Sequence, residues 1–176
     1  MSPSDDPLRI LQVNTYDVGG GAERIAAQLT GYYRAHGHDA WMAVGLKRWD
    51  DPGTFLIPNA ALRGPWTRFW WRVYGWLGPH SRRVRALWRV RRVAEYLAEP
   101  GIALDRHRGI QSLRYPGTRR ILDLPPQPPD LVHAHNLHID YFDLRELPRL
   151  SRARPLLLTL HDMWPFTGHC AHALNS

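Results

Sequence analysis

Two histidine-bearing turns and one glycine run hold most of the chemistry that the 176-residue sequence offers. His133 and His135 lead into the first turn, which continues through Asn136 and His138; His161 and Asp162 form the second, and Gly19, Gly20 and Gly21 form the run. A neutral imidazole presents one hydrogen-bond donor and one acceptor and titrates near neutrality, so a histidine at the mouth of a site can hold a hydroxyl or take up a proton. Glycines without Cβ atoms let the backbone approach a ligand closely, and the amides at the start of a following helix favour an anion such as phosphate. The run lacks the spacing of a dinucleotide fingerprint or a P-loop lysine, so a plain flexible turn remains an alternative. His133 and His135 are two apart in an extended run and His169, Cys170 and His172 lie close together, which invites a metal. A closed zinc site needs about four ligands in tetrahedral array, and no metal is expected.

These groups need elements to position them. Leu131–His135 and Leu156–Leu160 read as two short buried strands, the first entered through Pro125, Pro126, Pro128 and Pro129, each ending on one of the histidine turns. Between them Asp143 caps a helix, with Glu146 as the other half of a capping box. Strand, helix, strand is a crossover, so the two strands should be parallel neighbours, with a ligand site beyond their carboxyl ends. Earlier in the chain, Leu8–Val13 is a strand leading to the glycine run, Ala22–Arg34 a helix closed by Gly37, and Ala40–Val44 a second strand. The expected fold is an α/β, doubly wound, mainly parallel Rossmann-like sheet.

An Arg- and Trp-rich helical hairpin is inserted at about residues 60–100. Trp66, Phe69, Trp70, Val73, Tyr74 and Leu77 fall on one side of a helix, Gly78-Pro79 breaks it, and Ser81–Ala98 forms the second arm with Leu87, Val90, Ala94 and Leu97 on one face. Gly45–Asn59 reads as irregular, and Gly101–Gln127 as a connection with a short helix near Gly117–Leu122. Charge is concentrated here: residues 63–120 hold 14 arginines against three acids, whereas the rest of the chain has nine basic and 13 acidic residues. The hairpin could pack on the domain or lie on an anionic membrane surface through residues 66–93. No recognised nucleic-acid module accompanies the charge, so nucleic acid is not expected. The start of the chain lacks the pattern of a secretory signal, and no apolar run approaches the roughly 20 residues of a membrane span, which points to a cytoplasmic protein, peripheral at the inner membrane face if the hairpin binds lipid. The single Cys170 is compatible with a reducing compartment.

The stretches GGGAERIA, PPDLVHAHNLHIDYFDL and LLLTLHDMWPFTGHCAH resemble the N-terminal half of glycosyltransferase family 4 enzymes, particularly those of bacterial capsule and exopolysaccharide synthesis. The resemblance spans Leu8–Val44 and Gly109–Leu174 and is poor across the insert. It implies an enzyme of two Rossmann-like halves that moves a sugar from a nucleotide-sugar donor to a growing glycan or lipid-linked acceptor, with no other cofactor. By that resemblance Gly19, Gly20 and Gly21 face the donor phosphates, His161 contacts the donor sugar near its reacting carbon and Asp162 orients the turn. His133, His135, Asn136 and His138 line the cleft wall, and Cys170 takes the first position of a cysteine-rich stretch. The whole chain, 1–176, then corresponds to the acceptor-side domain. The donor-binding half lies outside this sequence, so these residues alone are expected to be inactive. A non-catalytic module that binds a glycan, a membrane or a partner is the alternative.

Overall fold

A computed structural model describes residues 6–81 and 85–167. Strands Arg9–Tyr16 (β1), Asp39–Leu46 (β2), Thr54–Leu56 (β3), Leu131–Ala134 (β4) and Leu156–Leu158 (β5) form one sheet in the order β3-β2-β1-β4-β5, with every neighbouring pair parallel. Helices Gly21–Ala35 (α1), Pro65–Ser81 (α2), Arg85–Ala98 (α3), Pro100–His107 (α4), Leu147–Ala153 (α5) and Trp164–Thr167 (α6) connect or follow them. The strand order runs one way from β1 to β3 and reverses at β4, which makes this a Rossmann-like, doubly wound α/β architecture. The carboxyl ends of β1 and β4 flank the reversal.

The register sets the character of the two sheet faces. Leu11, Val13, Ala43, Val132 and Ala134 point to one side, where Ile57, Ile121, Phe142 and Leu150 bury them in the main core. Each fully buried side chain of this size contributes about 1.5–3 kcal/mol from apolar burial. On the other side Met42 and Val44 meet Ala26 of α1. The same face carries Gln12, Asn14 and His133, since Gln12 aligns with both Met42 and His133, and all three polar residues are buried. A polar seam therefore runs through the middle of the sheet.

Two glycines show why the loops close as they do. Gly37 takes φ +83° just after α1, the left-handed conformation that a helix C-terminus requires. At Gly45 a Cβ would lie 2.5 Å from the Tyr141 ring, so β2 admits only glycine beside that buried aromatic. The expected elements recur with shifted bounds: β1 continues to Tyr16, and the segment read as irregular contains β3. The short helix near Gly117–Leu122 is a 3-10 helix, Pro116–Asp123. The Gly101–Gln127 connection begins inside α4, which the sequence reading missed.

Three expectations are corrected. The second strand is shorter than Leu156–Leu160 and is not buried: it is the last strand of the sheet, and Leu157 and Leu158 remain 49% and 41% exposed. Asp143 caps not α5 but the 3-10 turn Leu144–Glu146 that precedes it, accepting from the Arg145 amide, and Glu146, at the N-cap position of α5, completes no capping box; its carboxylate takes Arg119 and Arg149 instead, at 2.9 and 2.7 Å. Gly78-Pro79 does not end α2, which continues to Ser81.

The expected hairpin is present, and its apolar stripe is only partly buried. α2 and α3 pack chiefly on each other and α3 on α4, antiparallel, with Trp66 Nε1 donating to the Leu97 carbonyl at 2.8 Å and Thr67 Oγ1 to that of Ala98 at 3.0 Å. Leu77, Ala94 and Ala98 are buried, whereas Trp66 and Phe69, on the same apolar stripe as Leu77, are 60% and 56% exposed. Trp71, which is not part of that stripe, is turned in toward Arg63 and has its indole nitrogen buried. No described helix is long and apolar enough to cross a membrane.

Candidate functional site

Parallel pairing aligns Ala134 with Leu158, so alternation puts His133, His135, Thr159 and His161 on one side of the β4 and β5 ends. They form a connected array. His133 Nε2 lies 2.7 Å from Thr159 Oγ1, and His135 Nδ1 lies 2.9 Å from His161 Nε2. His135 Nε2 is hydrogen-bonded to Gln12 Oε1 on β1. The rings of His133 and His135 are 4.2 Å apart, and those of His135 and His161 stack at 5.2 Å.

These contacts determine the protons. Gln12 Oε1 can only accept, so His135 Nε2 carries hydrogen and donates. Burial, followed by the neighbouring His133 and His161, pushes the His135 pKa down to about 3, so that ring is neutral at physiological pH. Its Nδ1 is then an acceptor and receives the His161 Nε2–H. In a neutral His161 the basic lone pair is left on Nδ1, the nitrogen turned away from His135. Burial and then His161 also lower the pKa of His133. Gln12 and His135 thus act as a rigid neutral support for the half-buried His161.

The loop after β4 is built around the same point. Thr15 at the end of β1 shares its hydroxyl between the Asn136 and His138 carbonyls at 3.3 Å, and Tyr141 OH donates to the Asn136 carbonyl at 2.5 Å. His138 Nε2 lies 2.9 Å from Asp162 Oδ2, while Asp162 Oδ1 accepts from the Trp164 amide at 3.1 Å. Asp162 therefore joins the two histidine loops and accepts from the first amide of α6. Beyond His138 the backbone takes φ +70° at Ile139 and +56° at Asp140. Consecutive left-handed residues, one of them β-branched, store strain of about 1–3 kcal/mol each. Asp140 is held there by Arg106 at 2.8 Å and by Tyr115 OH at 2.9 Å.

His135, Asn136, His138, His161 and Asp162 all line one cleft of about 430 Å³ beyond the strand ends. Its walls are otherwise mainly apolar, with Leu113, Leu144, Leu160 and Trp164 among them. A mostly apolar cleft with a few convergent polar groups is the usual form of a small-molecule site. Gln111 also lines it, with its amide nitrogen buried and unbonded. Neither Gln111 nor Gln12 was singled out in the sequence, because a lone glutamine in a loop or strand carries no motif.

The glycine run does not line this cleft. Gly20 caps α1 and Gly21 begins it, so the amides do stand at a helix N-terminus. A buried acid stands beside the run: a Cβ on Gly20 would lie 3.0 Å from Glu23 Oε2. The closest cation is Arg48, stacked 3.8 Å over the Tyr16 ring, with Nη1 3.4 Å from the Cβ position of Gly19. Among the described residues no group of three or more His, Cys, Asp or Glu side chains is arranged to hold a metal. His169, Cys170 and His172 lie outside the described residues.

Fold and cleft together define a Rossmann-like α/β protein with a histidine-lined cleft at its strand ends. No protein-family model, no curated protein and no solved structure matches the chain.

Proposed function

We propose that this chain is the acceptor-side half of a glycosyltransferase that takes a nucleotide-sugar donor and extends a glycan or lipid-linked acceptor. The observation that carries the reading is His161, presented to the cleft with a defined tautomer by the neutral His135 and Gln12. With Nδ1 as acceptor it can take the hydrogen bond of a sugar hydroxyl, and Gln111 and Asn136 offer amide groups for further hydroxyls. The apolar walls suit the faces of sugar rings. In this reading the donor phosphates are stabilised partly by the amides of Gly20 and Gly21, and the remaining charge compensation comes from a donor-binding half supplied in the same or another chain.

The test combines the chain with such a half and follows sugar transfer from labelled nucleotide sugars. Transfer that falls at least a hundredfold in His161→Ala, with folding intact, is the expected result. Transfer indifferent to His161, or none with any donor, would sink the proposal.

A second reading is favoured by Glu23. Its carboxylate lies over the loop that should receive phosphate, which suits a non-catalytic module that binds a glycan or a partner subunit through the histidine cleft. Saturation-transfer NMR with glycans and no nucleotide separates the two: glycan binding unaffected by nucleotide sugar supports the module.

The hairpin supports a peripheral place at the inner membrane face. Trp66, Phe69, Val90, Val93 and Leu97 are exposed on α2 and α3, within the arginine-rich segment. Apolar groups flanked by cations suit the interface of an anionic bilayer. Sedimentation with phosphatidylglycerol vesicles, but not phosphatidylcholine vesicles, should carry the protein down, and a Trp66→Ser, Phe69→Ser, Val93→Ser variant should remain in solution.

A further inference from the structure

Well apart in sequence from the histidine turns, α2, α3 and α4 enclose a second cavity of about 360 Å³. Trp88, Arg91, Arg92, Glu95 and Tyr96 line it from α3, at i, i+3, i+4, i+7 and i+8, a single helical face. Tyr74 of α2 and Arg106 and His107 of α4 complete the polar and aromatic lining. Three arginines therefore converge on one concave, aromatic-walled space.

Their charges are unequally committed. Arg106 is held by Glu95 and by Asp140, so those acids are matched. Arg91 and Arg92 have no carboxylate partner among the described residues. What fixes them is aromatic: the Arg91 guanidinium lies 4.0 Å over the Tyr74 ring and that of Arg92 5.2 Å over Trp88. Cation–π contact of this kind holds a guanidinium in place while leaving its hydrogens unspent. The Arg91 Nε is buried and makes no hydrogen bond. A buried, unbonded donor on a cation costs free energy until an acceptor arrives.

A planar fork of N–H donors matches the oxygens of a phosphate, and two preorganised forks beside each other match a group with several such oxygens. We infer that this cavity binds a phosphate-bearing ligand, its oxygens taken by Arg91 and Arg92 and its organic substituent lying against Trp88 and Tyr96. The ligand chemistry is that of a phosphate ester or diphosphate, from a free metabolite or a phospholipid headgroup. The inference does not depend on the transferase reading, nor on insertion of the hairpin's outer face into a bilayer.

The test titrates the whole chain, at fixed ionic strength, with sodium pyrophosphate and separately with dihexanoyl phosphatidic acid below its micellar concentration. Calorimetry and tryptophan fluorescence read the binding. Saturable one-to-one binding is expected, weakened roughly tenfold by Arg91→Gln and by Arg92→Gln. Arg89→Gln removes the same charge from an exposed position of α3 that does not line the cavity, and should leave affinity nearly unchanged. Arg92 is itself exposed, so its variant carries the test if Arg91→Gln proves unstable by circular dichroism. Phe69→Ser with Val93→Ser, two exposed positions that do not line the cavity, should also be silent, because neither monomeric ligand needs a bilayer. Tighter binding of phosphatidic acid would assign the site to a lipid headgroup, and equal binding to the phosphate alone, each in support. No saturable binding of either compound in the millimolar range, or equal weakening by Arg89→Gln, would overturn the inference.

Discussion

Acid should destabilise this protein in a pH range where carboxylates are not yet responsible, and His135 is the main cause. Its pKa falls from the ordinary 6.5 to about 3, mainly through burial. Below pH 6.5 the unfolded chain binds a proton there that the folded chain refuses, so the stability is complete above 6.5 and is lost as pH falls toward 3. Each pKa unit is worth about 1.4 kcal/mol, so lowering the pH from 7.5 to 5.0 should remove about 2 kcal/mol through this one ring. His133, shifted the same way, adds to the loss. The carboxylates of Asp51, Asp130, Asp143 and Glu146 have pKa values below their ordinary range, and their contributions disappear only at lower pH. Urea unfolding followed by tryptophan fluorescence at pH 7.5, 6.5 and 5.0 measures the slope. The comparison is His135→Gln, which keeps a neutral hydrogen-bonding side chain between Gln12 and His161 but cannot titrate. The variant should be weaker at pH 7.5 and lose much less between 6.5 and 5.0. Equal slopes in the two proteins would refute the neutral-His135 argument, and with it the tautomer assigned to His161.

Other substitutions probe separate parts of the design. Gly45→Ala should cost about 1–3 kcal/mol by urea unfolding, because the new methyl meets the base of the buried Tyr141 side chain rather than a movable tip. Ile139→Gly should raise the melting temperature, by an amount worth up to about 1 kcal/mol, since it relieves a left-handed β-branched residue whose side chain is 56% exposed. Glu23→Gln removes the carboxylate beside Gly20 and should strengthen pyrophosphate binding at the glycine run several-fold if that loop receives phosphate; an unchanged affinity in an Arg91→Gln background would argue for the non-catalytic reading. Asp162→Ala should cost about 1 kcal/mol through loss of the Trp164 amide bond and should shift the His138 ring signals in NMR spectra.

Much of the architecture is legible from residue order because it rests on local pattern. Apolar runs bounded by prolines and polar turns specify strands, Gly37 specifies a helix end, and the strand–helix–strand order leaves a parallel crossover as the sterically favoured connection. The placing of polar residues at strand ends follows from the same order, so His135 and His161 could be expected near one cleft. Their partners could not. Gln12 is 123 residues from His135, and only the β1–β4 pairing makes them neighbours. Glu23 over the glycine run, and Gln111 in the cleft, are likewise matters of which backbone crosses which.

Helical periodicity shows that α2 has an apolar side without showing what lies against it. Trp66 and Phe69 satisfy the spacing as well as Leu77 does, yet only Leu77 meets a neighbour that excludes water. The inward turn of Trp71 depends on where Arg63 stands, and the convergence of Arg91, Arg92 and Arg106 on how α3 and α4 pack. The sequence by itself determined the alternation of strands and helices, because hydrophobic period and turn chemistry act over a few residues. Only the tertiary structure decided the protonation of His135, the pairing of the arginines and the exposed faces, because burial and charge depend on groups far apart in the chain.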